Sequence, residues 1–588
     1  MRSHYCGEIT SKNLNEEVTI CGWIHKRRDH GGVIFLDVRD IKGICQAVIN
    51  PDNAKSFSIA ETLRNEFVVE ISGTVRARLE GTINKNMITG EIELEAKNIN
   101  ILSKAVTPVF PLDDYQDVNE DVRLKNRVLD LRRPEMNQRI VTRSKISSMI
   151  RNYLDDNDFH EIETPILTRA TPEGARDFIL PSRVQSGKFF ALPQSPQLFK
   201  QLLMMGGLDK YYQIARCFRD EDLRADRQPE FTQIDIEASF IDQNYIMEIG
   251  EGMIKGLVER FCGDTLDTFP ILDWHDSMRD FGCDKPDLRI PLKLVEISDL
   301  VKNEEFKVFA EPAKDDNSRV VALKIPGGNS LSRGQIDEYT NFVSKLGAKG
   351  LAYIKVNDKN DLENGLQSPI LKFLKNETIS ALVNDLDLEN DDLLFFGAGK
   401  DSVVNLSMSS LIKKIGEDLE LYSCKWAPCW VVDFPMFEKN GEGNLTSLHH
   451  PFTLPDCSVD ELKNSPEKSI AHAYDIVLNG YEIGGGSLRV FDADMQKAIF
   501  DILNISDEEA DNKFGFLLKA LSSGCPPHGG IAFGLDRIVM LITNTTNIRD
   551  VIAFPKTQSA TCLLTDAPSK VDDAQLEELK IISTYKED

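Results

Sequence analysis

The chain has no apolar stretch near the ~20 residues that cross a bilayer, and its opening MRSHYCGEIT lacks the apolar core of a secretory signal. A soluble cytoplasmic protein with no membrane partner is expected. The 11 cysteines are odd in number and form no C-x-x-C pair. That speaks against a disulfide framework or a thiolate zinc site and for reduced thiols. No G-x-x-x-x-G-K-[ST] loop occurs, which removes the P-loop phosphate cradle and its parallel sheet. Positive charge is scarce: 68 Lys+Arg face 94 Asp+Glu, a net charge of −26. Such a balance opposes a polyanionic partner overall. Residues 1–105, however, contain 14 groups of each sign, so the acidic excess lies wholly outside them.

A length of 588 residues with 41% hydrophobic content supports three or four domains. Residues 1–105 show alternating runs at 18–24, 33–39, 44–49, 67–78 and 91–99 with a helical stretch near 56–65, the pattern of an OB-fold barrel. Between the first two runs lies His25-Lys26-Arg27-Arg28-Asp29-His30-Gly31-Gly32, with Phe35 just beyond. A basic loop beside a sheet aromatic suits single-stranded nucleic acid, where stacking contributes ~1–3 kcal/mol per base. A neutral barrel with Phe35 in its core is the competing reading. Pro108, Pro111 and the acid-rich stretch 113–121 then mark a linker, 106–135. Residues 136–157 carry apolar positions at Ile140, Ile146, Met149, Ile150, Tyr153 and Leu154, a helical stripe that runs into Phe159-His160-Glu161-Ile162-Glu163-Thr164-Pro165.

Residues 211–240 read as two strands joined by a charged loop. Thr232, Ile234, Ile236, Ala238 and Phe240 fall on one face, and Phe231, Gln233, Asp235, Glu237 and Ser239 on the other. A solvated hairpin is the plain explanation. Phe231, an aromatic among carboxylates and amides beneath arginines, favours instead a planar base carrying phosphates. Upstream, Ser195 is placed as an N-cap with Pro196 at the first helical position, so that Ser195, Gln197 and Lys200 cluster at one helix end. Downstream, Asn479-Gly480 is a hairpin turn that pairs Leu478 with Tyr481 and Val477 with Glu482. Asp475 and Glu482 become diagonal neighbours at roughly 7–8 Å. Mg²⁺ fits two such carboxylates, with Arg219 as the competing partner. The adjacent His449 and His450 diverge in an extended segment and do not share a metal. Arg537 falls in the first turn of the helix after Gly534, where the dipole disfavours a cation.

Phe218-Arg219-Asp220-Glu221 followed by Phe231-Thr232-Gln233-Ile234-Asp235 resembles motif 2 of the class II aminoacyl-tRNA synthetases, in the bacterial-type aspartyl form. Gly529-Gly530-Ile531-Ala532-Phe533-Gly534-Leu535-Asp536-Arg537 resembles motif 3, and the long helix, short strand and Pro165 resemble motif 1, the dimer interface. The resemblance implies an α+β multidomain homodimer: OB-fold anticodon-binding domain 1–105, linker 106–135, class II antiparallel sheet of six or seven strands with flanking helices in 136–290 and 416–588, and an inserted α+β domain at 291–415. It implies ATP and Mg²⁺, L-aspartate, and tRNA(Asp). Glu173, Ser195, Gln197, Lys200, Arg219, Asp235, His449 and Arg489 would hold aspartate. Arg219, Asp220, Glu221, Gln228, Phe231, Glu482, Gly534, Leu535, Asp536 and Arg537 would hold ATP, with Arg219 and Arg537 catalytic and Asp475 with Glu482 on the metal. Arg28, Phe35, Gln46 and Glu93 would read the anticodon. His30 and Gly81 match relatives that also charge tRNA(Asn), so a non-discriminating ligase is expected; the alternative is an enzyme strict for tRNA(Asp). A non-catalytic paralogue would have lost Arg219, Arg537, Glu482 or Arg489, all present, and a tRNA-independent ligase typically lacks the barrel.

Overall fold

A computed structural model describes residues 1–112, 117–170, 174–221 and 227–585. It comprises two compact units. The first is Met1–Val141 with Ala553–Thr557 and Thr561–Pro568; the second is centred on Thr142–Ile552.

In the first unit, strands Glu17–Asp29, Ile34–Asp40, Gly43–Ile49, Val68–Ala77 and Ile92–Ser103 close into a five-stranded barrel, with helix Ala54–Thr62 after the third. Alternation decides this shape: Val18, Ile20, Leu36, Val38, Val69, Ile71 and Leu94 all point into one core. The basic segment differs from expectation. It is not a loop but the end of the first strand, where Arg28 pairs with Phe35 and Asp29 with Ile34 past a register shift at Ile24/Lys26. The shift re-aims the side chains that follow it. The linker has structure too: helices Glu120–Lys125 and Arg127–Asp130, the second held by a buried Arg127–Asp130 ion pair at 2.5 Å. Residues 113–116 of its acid-rich stretch lie outside the described residues.

The second unit is built on an eight-stranded sheet with, in order, Ile271–Asp273, Pro428–Val432, Ala473–Leu478, Tyr481–Leu488, His528–Gly534, Glu230–Ser239, Lys210–Phe218 and His160–Glu161. The body is antiparallel, but both edge strands pair parallel with their neighbours, one strand more than expected. Helices Pro134–Asp155 and Gln243–Cys262 contribute Ile146, Ile150 and Leu154, and Met253, Ile254 and Leu257, to the core with Ile234 and Ile236. Phe240 does not join that face. The strand ends at Ser239, and Phe240 adopts φ +57° and is 75% exposed.

The insertion forms a separate antiparallel five-stranded sheet, ordered Leu294–Glu296, Ser318–Ile325, Leu393–Lys400, Ala352–Val356 and Leu366–Gln367. Hydrophobic clusters cover both of its faces. Buried Arg319 ties it to helix Trp274–Phe281 by donating to Met278 O at 3.0 Å and Arg279 O at 2.9 Å. Among the described residues no helix is long and apolar enough to cross a membrane.

Candidate active site

The polar face of Glu230–Ser239 is the floor of the site. Opposite it, Gln233, Asp235 and Glu237 pair with Gly534, Ala532 and Gly530. Small residues are required there: a Cβ on Gly530 would stand 2.1 Å from Glu237 Oε2. Helix Gln197–Met205 brings in Lys200, 1% exposed, whose Nζ lies 3.2 Å from Asp235 Oδ1 and 3.1 Å from Glu237 Oε2. Arg489 completes the row. Its Nε and Nη2 donate to the two Glu237 oxygens at 2.9 and 3.2 Å, and its Nη1 lies 2.6 Å from both Ser487 Oγ and His450 Nε2. Burial alone pushes the Glu237 carboxyl up, but Arg489 and then Lys200 outweigh it and hold it at about 2. Burial wins at Asp235, pushing that carboxyl up despite Lys200. Sequence reasoning gave Glu237 no role; its signal was the period-2 pattern that put it two positions beyond Asp235 on the same face.

Helix Gln197–Met205 begins one residue later than expected. Pro196 is the N-cap, with no side-chain cap, and Ser195 Oγ accepts from the Gln197 N–H at 3.2 Å. The Pro196 carbonyl accepts the first intrahelical bond, from the Lys200 N–H at 2.9 Å.

Above the row lies a cavity of about 560 Å³ lined by, among others, Gln197, Asp235, Ser447, His449, Asp475 and Arg489. Among the described residues, five lining atoms are buried without a hydrogen-bond partner: Gln197 Nε2, Asp235 Oδ2, Ser447 Oγ, His449 Nε2 and Asp475 Oδ1. Buried polar atoms are ordinarily paired, so this convergence defines a site shaped for a small polar ligand. The two histidines diverge as expected. His449 stands edge-on to Phe434 at 4.6 Å and is pushed by burial down to about 4, while His450 meets Arg489. Glu173 lies outside the described residues; Gly174 and Ala175 line the cavity, and Arg176 pairs with Asp220.

The Asn479–Gly480 hairpin pairs Leu478 with Tyr481 and Val477 with Glu482, but a bulge follows, and Asp475 lies opposite Gly485. The extra residue gives the two carboxylates a common cavity. A Cβ at Gly485 would stand 2.6 Å from Asp475 Oδ1 and 3.8 Å from Glu482 Oε1. Burial, then Glu482 and Asp284, push the Asp475 carboxyl well up. A buried carboxylate with an orphaned oxygen beside a second carboxylate fits a hard divalent cation. Among the described residues no group of three His, Cys, Asp or Glu side chains is placed to chelate a metal, so the remaining ligands of such an ion would be water or phosphate oxygens.

A second cavity of about 220 Å³ shares Arg219, Glu221, Gln233, Glu482 and Ala532 with the first and adds Gln228, Phe231, Gly534, Asp536 and Arg537. The Arg219 guanidinium lies 5.0 Å over the Phe231 ring. Glu221 pairs with Arg227 at 3.2 Å, and Gln228 is 3% exposed. Arg537 Nη1 donates to Glu482 O at 2.7 Å. Two motif 3 side chains face the protein instead. Leu535 is buried in the core, and Asp536 accepts from the Thr232 N–H at 2.9 Å and from Arg143 Nη1.

On the barrel, Arg28 Nη2 donates to Asp37 at 2.7 Å and to Gln46 Oε1 at 3.0 Å, and Gln46 Nε2 donates to Glu93 at 2.9 Å. Phe35 is half-buried and outside the barrel core, its ring edge-to-face with His30 at 5.7 Å. Gly81 adopts φ +88° with open space where a Cβ would project.

Residues 119–558 match the family model for tRNA synthetases class II (D, K and N), and residues 18–102 match that of the OB-fold nucleic acid binding domain. The chain belongs to the class II tRNA synthetases of this D, K and N group. Among solved structures it is similar to asparaginyl-tRNA synthetase from Pyrococcus horikoshii complexed with asparaginyl-adenylate, at 19% identity and TM-score 0.57 over 94% of this chain and 98% of that one. A protein from Leishmania major Friedlin provisionally designated an aspartyl-tRNA synthetase gives 19% and 0.58 over 93% and 92%. Asparaginyl-tRNA synthetase from Entamoeba histolytica, in complex with asparaginyl-adenylate, gives 16% and 0.57 over 92% and 95%. These likenesses establish the fold; the amino acid is a matter for the site.

Proposed function

We propose that the chain is an aspartate–tRNA ligase that activates L-aspartate with ATP, releases pyrophosphate, and transfers the aspartyl group to the 3′ end of tRNA(Asp) and also of tRNA(Asn). The observation that carries this reading is the pair Lys200 and Arg489 at the base of a cavity edged by unpaired polar atoms. Both side chains are donors only. An aspartate side-chain carboxylate offers them acceptors alone, whereas asparagine turns an NH₂ donor toward them, and a lysine substrate brings a like charge. Asp235 Oδ2 and Gln197, with Ser195 and Glu173, suit the α-amino end.

ATP fits the second cavity with its adenine on Phe231, Glu221 and Gln228 nearby, and Arg537 toward the terminal phosphate. Asp220, Gly534, Leu535 and Asp536 then act through backbone or by holding the floor. Arg219 borders both cavities, so it can orient the aspartate α-carboxylate and the α-phosphate for in-line attack while offsetting the charge that spreads as pyrophosphate leaves. Asp475 and Glu482 would hold Mg²⁺, which supplies charge neutralisation on the phosphates. No side chain is needed as a nucleophile. The tRNA ribose hydroxyl then attacks the aspartyl-adenylate.

On the barrel, Arg28, Gln46 and Glu93 present a preordered row of hydrogen-bonding groups beside Phe35, suited to a splayed anticodon with one base stacked. His30 and Gly81 support charging of both tRNAs. A cytoplasmic homodimer completes the reading; exposed Ile179 (60%), Val184 (82%) and Phe189 (50%) supply an apolar surface for a second copy. The test is side-by-side aminoacylation of tRNA(Asp) and tRNA(Asn) with aspartate at equal salt. Charging of both is expected. Charging of tRNA(Asp) alone would remove the dual specificity, and charging with asparagine instead would remove the aspartate assignment.

A further inference from the structure

We propose that Asp284 and Lys285 form an exchangeable counter-ion arm over the Asp475–Glu482 carboxylates: Lys285 offsets their charge while no divalent cation is present, and Asp284 retains the ammonium once a cation enters. The proposal rests on the reading that Asp475 and Glu482 hold a divalent cation.

The geometry has three parts. Asp284 borders the same cavity as Asp475, Glu482 and Gly485. Asp475 is 7% exposed, and its Oδ1, on the Gly485 side, has no hydrogen-bond partner among the described residues. Lys285 Nζ lies 3.8 Å from Glu482 Oε2 and 3.7 Å from Asp284 Oδ1, between the two carboxylates. The Lys285 side chain is half exposed, so its flexible stem can swing without disturbing packing.

The backbone beneath the arm is anchored at both ends. On one side, helix Trp274–Phe281 ends at Gly282, with φ +68° and an ideal Cβ position 2.8 Å from Asn405 O. On the other, Asp287 packs over the hairpin turn, with its Cβ 3.0 Å from where a Gly480 Cβ would stand, and accepts from Arg289 Nε and Nη2 at 2.8 and 2.6 Å. The fold therefore holds Asp284 and Lys285 at the cation site and leaves only the lysine stem free.

Physical chemistry makes the arm competitive. An ammonium and a divalent ion repel at such range, so both cannot sit against Glu482. By linkage, whatever Lys285 contributes to neutralising the empty site is lost to the entering ion. Among the described residues Asp284, Asp475 and Glu482 do not form a three-ligand metal group. Asp284 acts instead as the displaced lysine's partner.

The test is a titration of nucleotide-free full-length protein with Mn²⁺, reading free ion by electron paramagnetic resonance. Lys285→Met should bind Mn²⁺ about fivefold more tightly than wild type, Lys285→Arg should match wild type, and Asp284→Asn should bind about threefold more weakly because the displaced ammonium loses its partner. Affinity of Lys285→Met equal to or weaker than that of wild type overturns the arm, as does absence of Mn²⁺ binding to both proteins. Aspartate-dependent ATP–pyrophosphate exchange by the wild-type protein separates the two levels: its presence with an unresponsive Lys285→Met removes the arm alone, whereas its absence at saturating Mg²⁺ removes the functional reading on which the arm depends.

Discussion

Replacing Lys200 with leucine removes one of two buried cations from the aspartate end of the site. A unit charge 4 Å from a carboxylate contributes ~4 kcal/mol at an effective dielectric of 20. Part of that is already spent on Asp235 and Glu237, which lie 3.2 and 3.1 Å from Nζ, so a loss of about 2–4 kcal/mol in transition-state binding is expected, roughly 30- to 1000-fold in kcat/KM. The assay is aspartate-dependent ATP–pyrophosphate exchange, run with asparagine alongside to show selectivity narrowing by a similar factor. Lys200→Leu also strands the buried Asp235 carboxylate, while Glu237 keeps its pairing with Arg489, and breaking a buried pair costs about 3–5 kcal/mol of stability. A drop in Tm is therefore part of the expectation. Adding Asp235→Asn removes the stranded charge and should recover much of the Tm but none of the aspartate exchange, which separates folding from recognition. An exchange rate for folded Lys200→Leu within threefold of wild type would refute the assignment of Lys200 to the substrate carboxylate.

Phe35→Ala should lower kcat/KM for tRNA charging by about 1–3 kcal/mol, the worth of one stacked base, while leaving ATP–pyrophosphate exchange unchanged; loss of exchange would mean that the ring supports folding. Asp475→Asn should raise Tm in metal-free buffer, since it removes a buried carboxylate that burial, Glu482 and Asp284 disfavour, and should raise the Mg²⁺ concentration needed for exchange; a lower Tm would contradict this. Acid should destabilise the fold in two windows measurable by chemical denaturation. His449, held at about 4 against an ordinary 6.5, binds fewer protons folded than unfolded, so stability falls as pH drops from 6.5 toward 4. Glu237, held at about 2 against 4.5, stabilises above 4.5 and loses that contribution as pH falls toward 2. Each shift corresponds to about 3 kcal/mol, and a His449→Gln protein with an unaltered upper window would refute the first.

Period-2 alternation alone was enough to place the barrel strands and the floor strand, because a strand with one buried face must alternate. The two-residue turn Asn479–Gly480 was equally legible, since few residue pairs accept its backbone. Elements whose identity depends on backbone pairing rather than side-chain pattern were not. The basic segment 25–29 looked like a loop because its charge run hides a hairpin in which residues 26–29 pair with 34–37, and that pairing overrides local charge. Ser195 looked like a cap until Pro196 took that place.

The site divides in the same way. The sequence by itself determined which side chains bear charge and which face of the floor strand carries them, because alternation is a local property of extended backbone. Only the tertiary structure decided that Glu237 would join Lys200 to Arg489 and that a bulge would seat Asp475 opposite Gly485. It also decided that the Asp536 carboxylate would turn inward to Arg143 and Thr232. Those outcomes depend on groups as far as 393 residues apart in the chain, brought together by burial, where an unpaired charge is too costly to leave alone.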